Sequence, residues 1–181
     1  MPPRLILPFL AMFLILWTNS GFASQSATPS GVSPEVMEKL VTPEAFAEAA
    51  PTRAEELGTS GLQGLQKAGN VVIIDVRDKE SFDRRHLAGS VNSPLTGLTE
   101  KTLPAIAPDK ETPVVLVCDY SFFPVRMLAM TMQAYPVLKA NGYTTVYRLN
   151  LWQGKDGIPS QEEQEKAFAF EGTALSTPKP Q

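Results

Sequence analysis

The only cysteine of the chain, Cys118, closes the apolar run Val114–Val117, and Arg126 follows eight residues later. A thiolate is a strong nucleophile and a guanidinium is a fork for anions. A thiol and an arginine at the two ends of one loop are therefore the parts needed to attack an anionic substrate. The residues between them, DYSFFPV (119–125), are too aromatic for an ordinary surface loop. Asp119 sets a negative charge beside the sulfur, which disfavours a thiolate, and Pro124 removes one backbone amide that could have faced it. The competing readings are structural: Cys118 as a small apolar residue that closes a strand, and Arg126 as a solvated side chain at the start of a helix.

The compartment bears on this thiol. Residues 1–23 carry one early positive charge, Arg4, then an uncharged apolar run from Leu5 to Trp17, a polar break, and small residues at Gly21 and Ala23. That pattern predicts a secretory signal peptide cleaved after Ala23. The apolar run falls short of the roughly 20 residues that span a bilayer, which leaves an uncleaved anchor as the runner-up. The expectation is a periplasmic or secreted protein with no stable membrane insertion once the signal is removed. Paired cysteines are usual in such compartments, and a lone one cannot close an intramolecular disulfide, so Cys118 is either shielded by burial or kept for chemistry.

Sixteen Lys and Arg against nineteen Asp and Glu give a net charge of -3. With the signs interspersed there is no basic stripe, which argues against nucleic acid as a partner. Met127, Met130 and Met132 lie just past Cys118 and are thioethers of the kind that bind Cu(I). Helical spacing turns Met132 away from Met130, so they read as core filler, and neither metal nor cofactor is expected.

Residues 24–36 are small and polar and read as a flexible lead-in, 37–170 as one domain, and 171–181 as a polar disordered tail. SPEVMEKL and TPEAFAEAA each open with a hydroxyl, a proline and a glutamate, the start signals of helices. Val71–Arg77 and Thr112–Cys118 are continuous β-branched runs, the pattern of strands buried on both faces. KESFDRRHLAG reads as helical to Arg85, RMLAMTMQAYPVLKANG as a helix from Arg126 that stops at Gly142, and YTTVYRL as a further strand. Buried strands separated by helices predict an α/β fold with a parallel sheet, and in such sheets ligands sit beyond the carboxyl ends of the strands, where Cys118 lies.

The stretch DVRDKESFDRRHLAGSVNSP, Asp75 to Pro94, resembles the signature of the rhodanese family at Asp75, Val76, Arg77, Glu80, Phe82, His86, Gly89, Asn92 and Pro94. VVLVC resembles the strand that presents the family's cysteine, and LNLWQGKDGIP the closing Trp, Gly and Pro. The resemblance implies a rhodanese-like three-layer fold, a central mostly parallel sheet with helices on both faces. It implies a sulfurtransferase in which Cys118 takes the outer sulfur of a small donor as a persulfide and passes it to a thiol or protein acceptor. Cys118 would be catalytic, with Arg126, Ser121 and Tyr120 binding the donor, and His86 would hold the turn after its helix. Asp75 and Arg77, at the end of a buried strand, read as pairing with polar backbone or with each other's neighbours, with support of the pocket as the alternative.

Attack needs thiolate, and an ordinary cysteine, with a pKa of roughly 8.5, is mostly protonated at neutral pH. The family's six-residue loop meets this by curling backbone amides around the sulfur. Here the loop has no glycine, contains Pro124, and delivers Arg126 three positions late; the glycine pair before Trp152 is replaced by Arg148–Asn150. Two functions follow: an exported sulfurtransferase acting through Cys118, or a catalytically weak or inactive rhodanese-fold module that binds a partner or sulfur compound, with Phe122 and Phe123 facing the partner.

Overall fold

The computed structural model describes residues 51–174 apart from Met127. Among the described residues there are seven strands: β1 (Glu56–Leu57), β2 (Val72–Asp75), β3 (His86–Leu87), β4 (Val91–Asn92), β5 (Val114–Val117), β6 (Val146–Leu149) and β7 (Phe170–Glu171). The helices are α1 (Thr59–Ala68), α2 (Lys79–Arg84), α3 (Leu103–Ile106), α4 (Met130–Ala140) and α5 (Gln161–Ala167). Five strands form one sheet in the order β1-β6-β5-β2-β4, and every pairing in it is parallel. β3 and β7 make a separate antiparallel ribbon.

The continuous apolar runs are explained by where their side chains go. In a strand successive residues point to opposite faces. Ile74, Val114, Leu116 and Val146 feed a core with Leu103 of α3 and Ala134 and Leu138 of α4. Their neighbours Ile73, Val115, Val117 and Leu149 feed a second core with Leu62 of α1, Leu87 and Phe168. Both faces of the sheet are thus covered by helices, the three-layer arrangement the sequence predicts, and a parallel sheet requires such cover.

The helix ends follow local chemistry. Asp78 caps α2 by accepting from the Ser81 amide at 2.8 Å, and Ser160 caps α5 by accepting from the Glu163 amide at 3.2 Å. Gly58, at the start of α1, has no side chain to offer; Asp156 reaches in from the β6–α5 connection and accepts from the Ser60 amide at 2.8 Å and its hydroxyl at 2.7 Å. The two helices predicted between Ser33 and Ala50 lie outside the described residues. So do the predicted signal peptide and lead-in.

Two boundaries differ from the sequence reading. α4 begins at Met130, not at Arg126. The start predicted there supplies no side-chain cap, because Pro124 and Val125 precede Arg126 and neither carries a polar acceptor. Past residue 170, where a polar tail is predicted, Glu171 pairs with His86, and the amides of Thr173 and Ala174 donate to the carbonyls of Asp83 and Arg84 at 2.9 Å. Gly172 makes this return possible: its φ of 135° is disfavoured for other residues, and a Cβ there would sit on the Arg84 carbonyl.

Candidate functional site at the carboxyl end of β5

Cys118 is the first residue past β5, in the middle of the sheet. Its side chain belongs to the core formed with α3 and α4 and is 1% exposed. The sulfur has the Thr131 hydroxyl, in the first turn of α4, 3.8 Å away and also buried, and the Ser121 amide as polar neighbours. The backbone amide of Cys118 donates to Ser121 Oγ at 3.1 Å.

The loop that follows spends its amides on itself. Asp119–Ser121 form a 3-10 turn in which the Ser121 amide donates to the Cys118 carbonyl at 2.9 Å, and those of Phe122 and Phe123 to the Asp119 carbonyl at 3.0 and 3.2 Å. All three amides are committed to the turn's own carbonyls; the Ser121 amide also faces the Cys118 side chain in a capping box, and Pro124 has no amide. The loop is also stapled from outside. Trp152 Nε1 donates to the Tyr120 carbonyl at 2.7 Å, the Leu151 amide to the Ser121 carbonyl at 2.8 Å, and Gln164 Nε2 to the Phe122 carbonyl at 2.8 Å. A segment held at three successive carbonyls is closed over the thiol instead of cradling an anion against it.

Arg77 holds the other side of the loop. Its guanidinium grips Asp75 through Nε–Oδ1 at 2.9 Å and Nη2–Oδ2 at 2.6 Å, donates to the Arg85 carbonyl at 2.6 Å, and reaches Asp119 Oδ1 at 3.2 Å. Burial opposes its charge, but Asp75 and then Asp119 more than offset this, so Arg77 lies above the ordinary guanidinium value. The negative charge that sequence reasoning placed against the sulfur is thus engaged by Arg77.

Of the predicted donor-binding residues, Ser121 is buried and occupied with the Cys118 amide, and Tyr120 packs edge-on to Trp152 with its hydroxyl 3.4 Å from Gln153 Oε1. Arg126 is exposed and makes no hydrogen bond or ion pair among the described residues. The structure brings Cys118 and Ser121 together and leaves Arg126 apart. Phe122 and Phe123, predicted to face outward together, diverge. Phe122 is 2% exposed, with its ring 5.7 Å from that of Phe170, whereas Phe123 is 48% exposed. The 3-10 turn is the reason, because adjacent residues leaving it point to different sides. His86 is structural, as predicted: Nδ1 contacts the Phe82 carbonyl at 2.8 Å and its ring stacks on Phe82.

Sequence reasoning missed Thr131, Trp152 as a loop anchor, and Gln164. For Gln164 a signal existed: it lies four residues before the buried Phe168, on the same helical face, in an otherwise polar helix.

A five-stranded parallel sheet clad on both faces, with a lone thiol at the carboxyl end of its central strand, defines an open α/β domain whose chemistry would sit at the strand ends. A family model described as rhodanese-like domain matches residues 59–151. The chain belongs to the rhodanese-like domain family. Among solved structures it is similar to a rhodanese from E. coli described with anions, at 28% identity over 44% of this chain and 85% of that one, with a TM-score of 0.38. It is also similar to the BH2092 protein of Bacillus halodurans, at 22% identity over 66% and 77% with a TM-score of 0.50. A thiosulfate sulfurtransferase from Pseudomonas aeruginosa aligns at 17% identity over 65% of this chain and 20% of that one, with a TM-score of 0.47. No curated protein matches the chain.

Proposed function

We propose that this protein is a rhodanese-fold binding module in which Cys118 does not turn over small sulfur donors. The observation that carries this reading is the pairing of a thiol 1% exposed with a loop whose Ser121, Phe122 and Phe123 amides are committed to a 3-10 turn. Donors aimed at developing charge are worth orders of magnitude in rate, and of these three only the Ser121 amide, itself shared with the Cys118 carbonyl, also faces the sulfur. With residues 1–23 read as a signal peptide, the module would work in the periplasm or outside the cell, and burial of the thiol fits such an oxidising compartment.

The position of Cys118 at the carboxyl end of the central strand, beside the buried Thr131 hydroxyl, favours a second reading as a sulfurtransferase. In that reaction the Cys118 thiolate attacks the outer sulfur of thiosulfate, the bond to the sulfonate sulfur breaks, and sulfite leaves with the electron pair. A Cys118 persulfide results, whose outer sulfur passes to a thiol or protein acceptor.

Intact mass after incubation with thiosulfate or polysulfide decides between the two. The binding-module reading expects no change. A gain of one sulfur atom that disappears in Cys118→Ser would replace it with sulfur transfer.

A further inference from the structure

A cavity of about 240 Å³ lies on the α2 side of the loop, with Cys118 outside its lining. Arg77, Arg84, Arg85, Asp119, Phe122 and Phe123 form most of its wall. Arg77 is fully engaged by Asp75 and Asp119, and Arg84 holds Glu80 in an exposed pair of the kind that contributes little.

Arg85 differs from both. Its side chain is 11% exposed, and its guanidinium lies 3.7 Å from the ring centroid of Phe170 and 5.1 Å from that of Phe122. Its Nε donates to Glu165 at 2.9 Å, and Nη2 is buried with no hydrogen-bond partner. Among the described residues Nη1 has none either. Two rings and one hydrogen bond therefore fix a guanidinium whose two-nitrogen end is unpaired. Nη2 is shut off from the cavity, whereas Nη1 is accessible and unpaired, a charged donor suited to a carboxylate oxygen. Desolvation also holds Arg85 below the ordinary guanidinium value, with Glu165 offsetting it only in part, a deficit that a second anion would reduce.

The rest of the wall selects for an apolar group. Phe123 is 48% exposed and stands in the same cavity wall as Arg85, so the cavity offers an exposed apolar ring together with the cation. At this volume it lies under the ~300 Å³ where drug-sized sites begin, which limits the apolar part to one ring or one branched chain.

We propose that this cavity binds a carboxylate carrying a small apolar group, with the carboxylate on Nη1 of Arg85, Arg84 alongside, and the apolar group against Phe123. The inference rests on the binding-module reading and supplies its ligand class. The same chemistry occurs in a free arylacetate and in the last residue of a peptide that ends in phenylalanine.

The test is calorimetric titration of the full chain with phenylacetate and with a short peptide ending in phenylalanine, each alongside its amide. One of the acids should bind with a dissociation constant on the order of 1 mM or tighter, and its amide about tenfold more weakly or worse. The tighter of the two acids identifies the source. Arg85→Lys keeps the charge but loses the planar, ring-held donor and should weaken binding about tenfold. Phe123→Ser changes a half-exposed side chain, leaves the fold intact and should weaken it severalfold. If Arg85→Lys fails to fold by circular dichroism, Phe123→Ser and Arg84→Gln carry the test. Absence of binding by both acids, equal binding of acid and amide, or unchanged affinity in the folded variants overturns the proposal. Intact mass on the same samples keeps the outcomes separate: sulfur uptake at Cys118 sinks the non-turnover reading, whereas loss of carboxylate binding sinks only this one.

Discussion

Gln164→Leu tests whether the loop over Cys118 is held shut from outside. Gln164 is 1% exposed, and its Nε2 donates at 2.8 Å to both the Phe122 and the Ile158 carbonyls, while its Oε1 is buried without a partner. Leucine is close in volume but removes both donations. A buried carbonyl that loses its donor costs about 1–3 kcal/mol, so two cost about 2–6 kcal/mol. Removing the unpaired Oε1 returns about 1–3 kcal/mol. The net is on the order of 1–3 kcal/mol, about half of it acting on the loop through the Phe122 carbonyl. At 1.4 kcal/mol per factor of ten, the open state of the loop should become roughly three- to tenfold more populated. The assay is the rate of Cys118 alkylation by iodoacetamide under native conditions, read by intact mass. Wild type should react far more slowly than the same chain in denaturant, and Gln164→Leu several times faster than wild type at a temperature well below its own midpoint. Alkylation of native wild type at the rate of the denatured chain would refute the burial argument. An unchanged native rate in a destabilised Gln164→Leu would refute the staple.

Gly172→Ala should lower stability by about 2 kcal/mol or more and release the β3–β7 ribbon, because the new Cβ would meet the Arg84 carbonyl at a φ of 135°; hydrogen exchange at Leu87 and Phe170 reads it, and full protection there would contradict the packing argument. Asp156→Ala should cost about 1 kcal/mol at neutral pH by removing the acceptor for the first turn of α1. The Ser60 hydroxyl and then its amide lower the Asp156 pKa below the usual carboxylate value, so its contribution is full above pH ~4 and is lost as pH falls through the lowered folded value. Urea melts should show wild type and variant converging in acid, and a gap that persists below pH ~2 would show that the charge plays no part.

The sequence by itself determined the sheet and the frame around it. Val72–Asp75 and Val114–Val117 are strands because unbroken β-branched apolar runs can be satisfied only with both faces covered, and that requirement is written in each run locally. The same holds for α2, whose cap Asp78 and first acidic residue Glu80 lie two positions apart in the chain, and for the position of Cys118 at a strand end. The start of α4 was not legible, because the side-chain signals that mark a helix start are missing at Arg126 and at Ala129 alike. The state of the loop was decided only by the tertiary structure. Its gripping groups come from Arg77, Leu151, Trp152 and Gln164, residues about 30 to 42 positions from their partners in the loop. A loop's amides can turn toward a sulfur or toward its own carbonyls at similar local cost, so the partners that folding delivers make the choice. The same distant contacts bury Phe122 between arginines and aromatic rings and leave Phe123 and Arg126 at the surface, a division that no spacing within DYSFFPVR encodes.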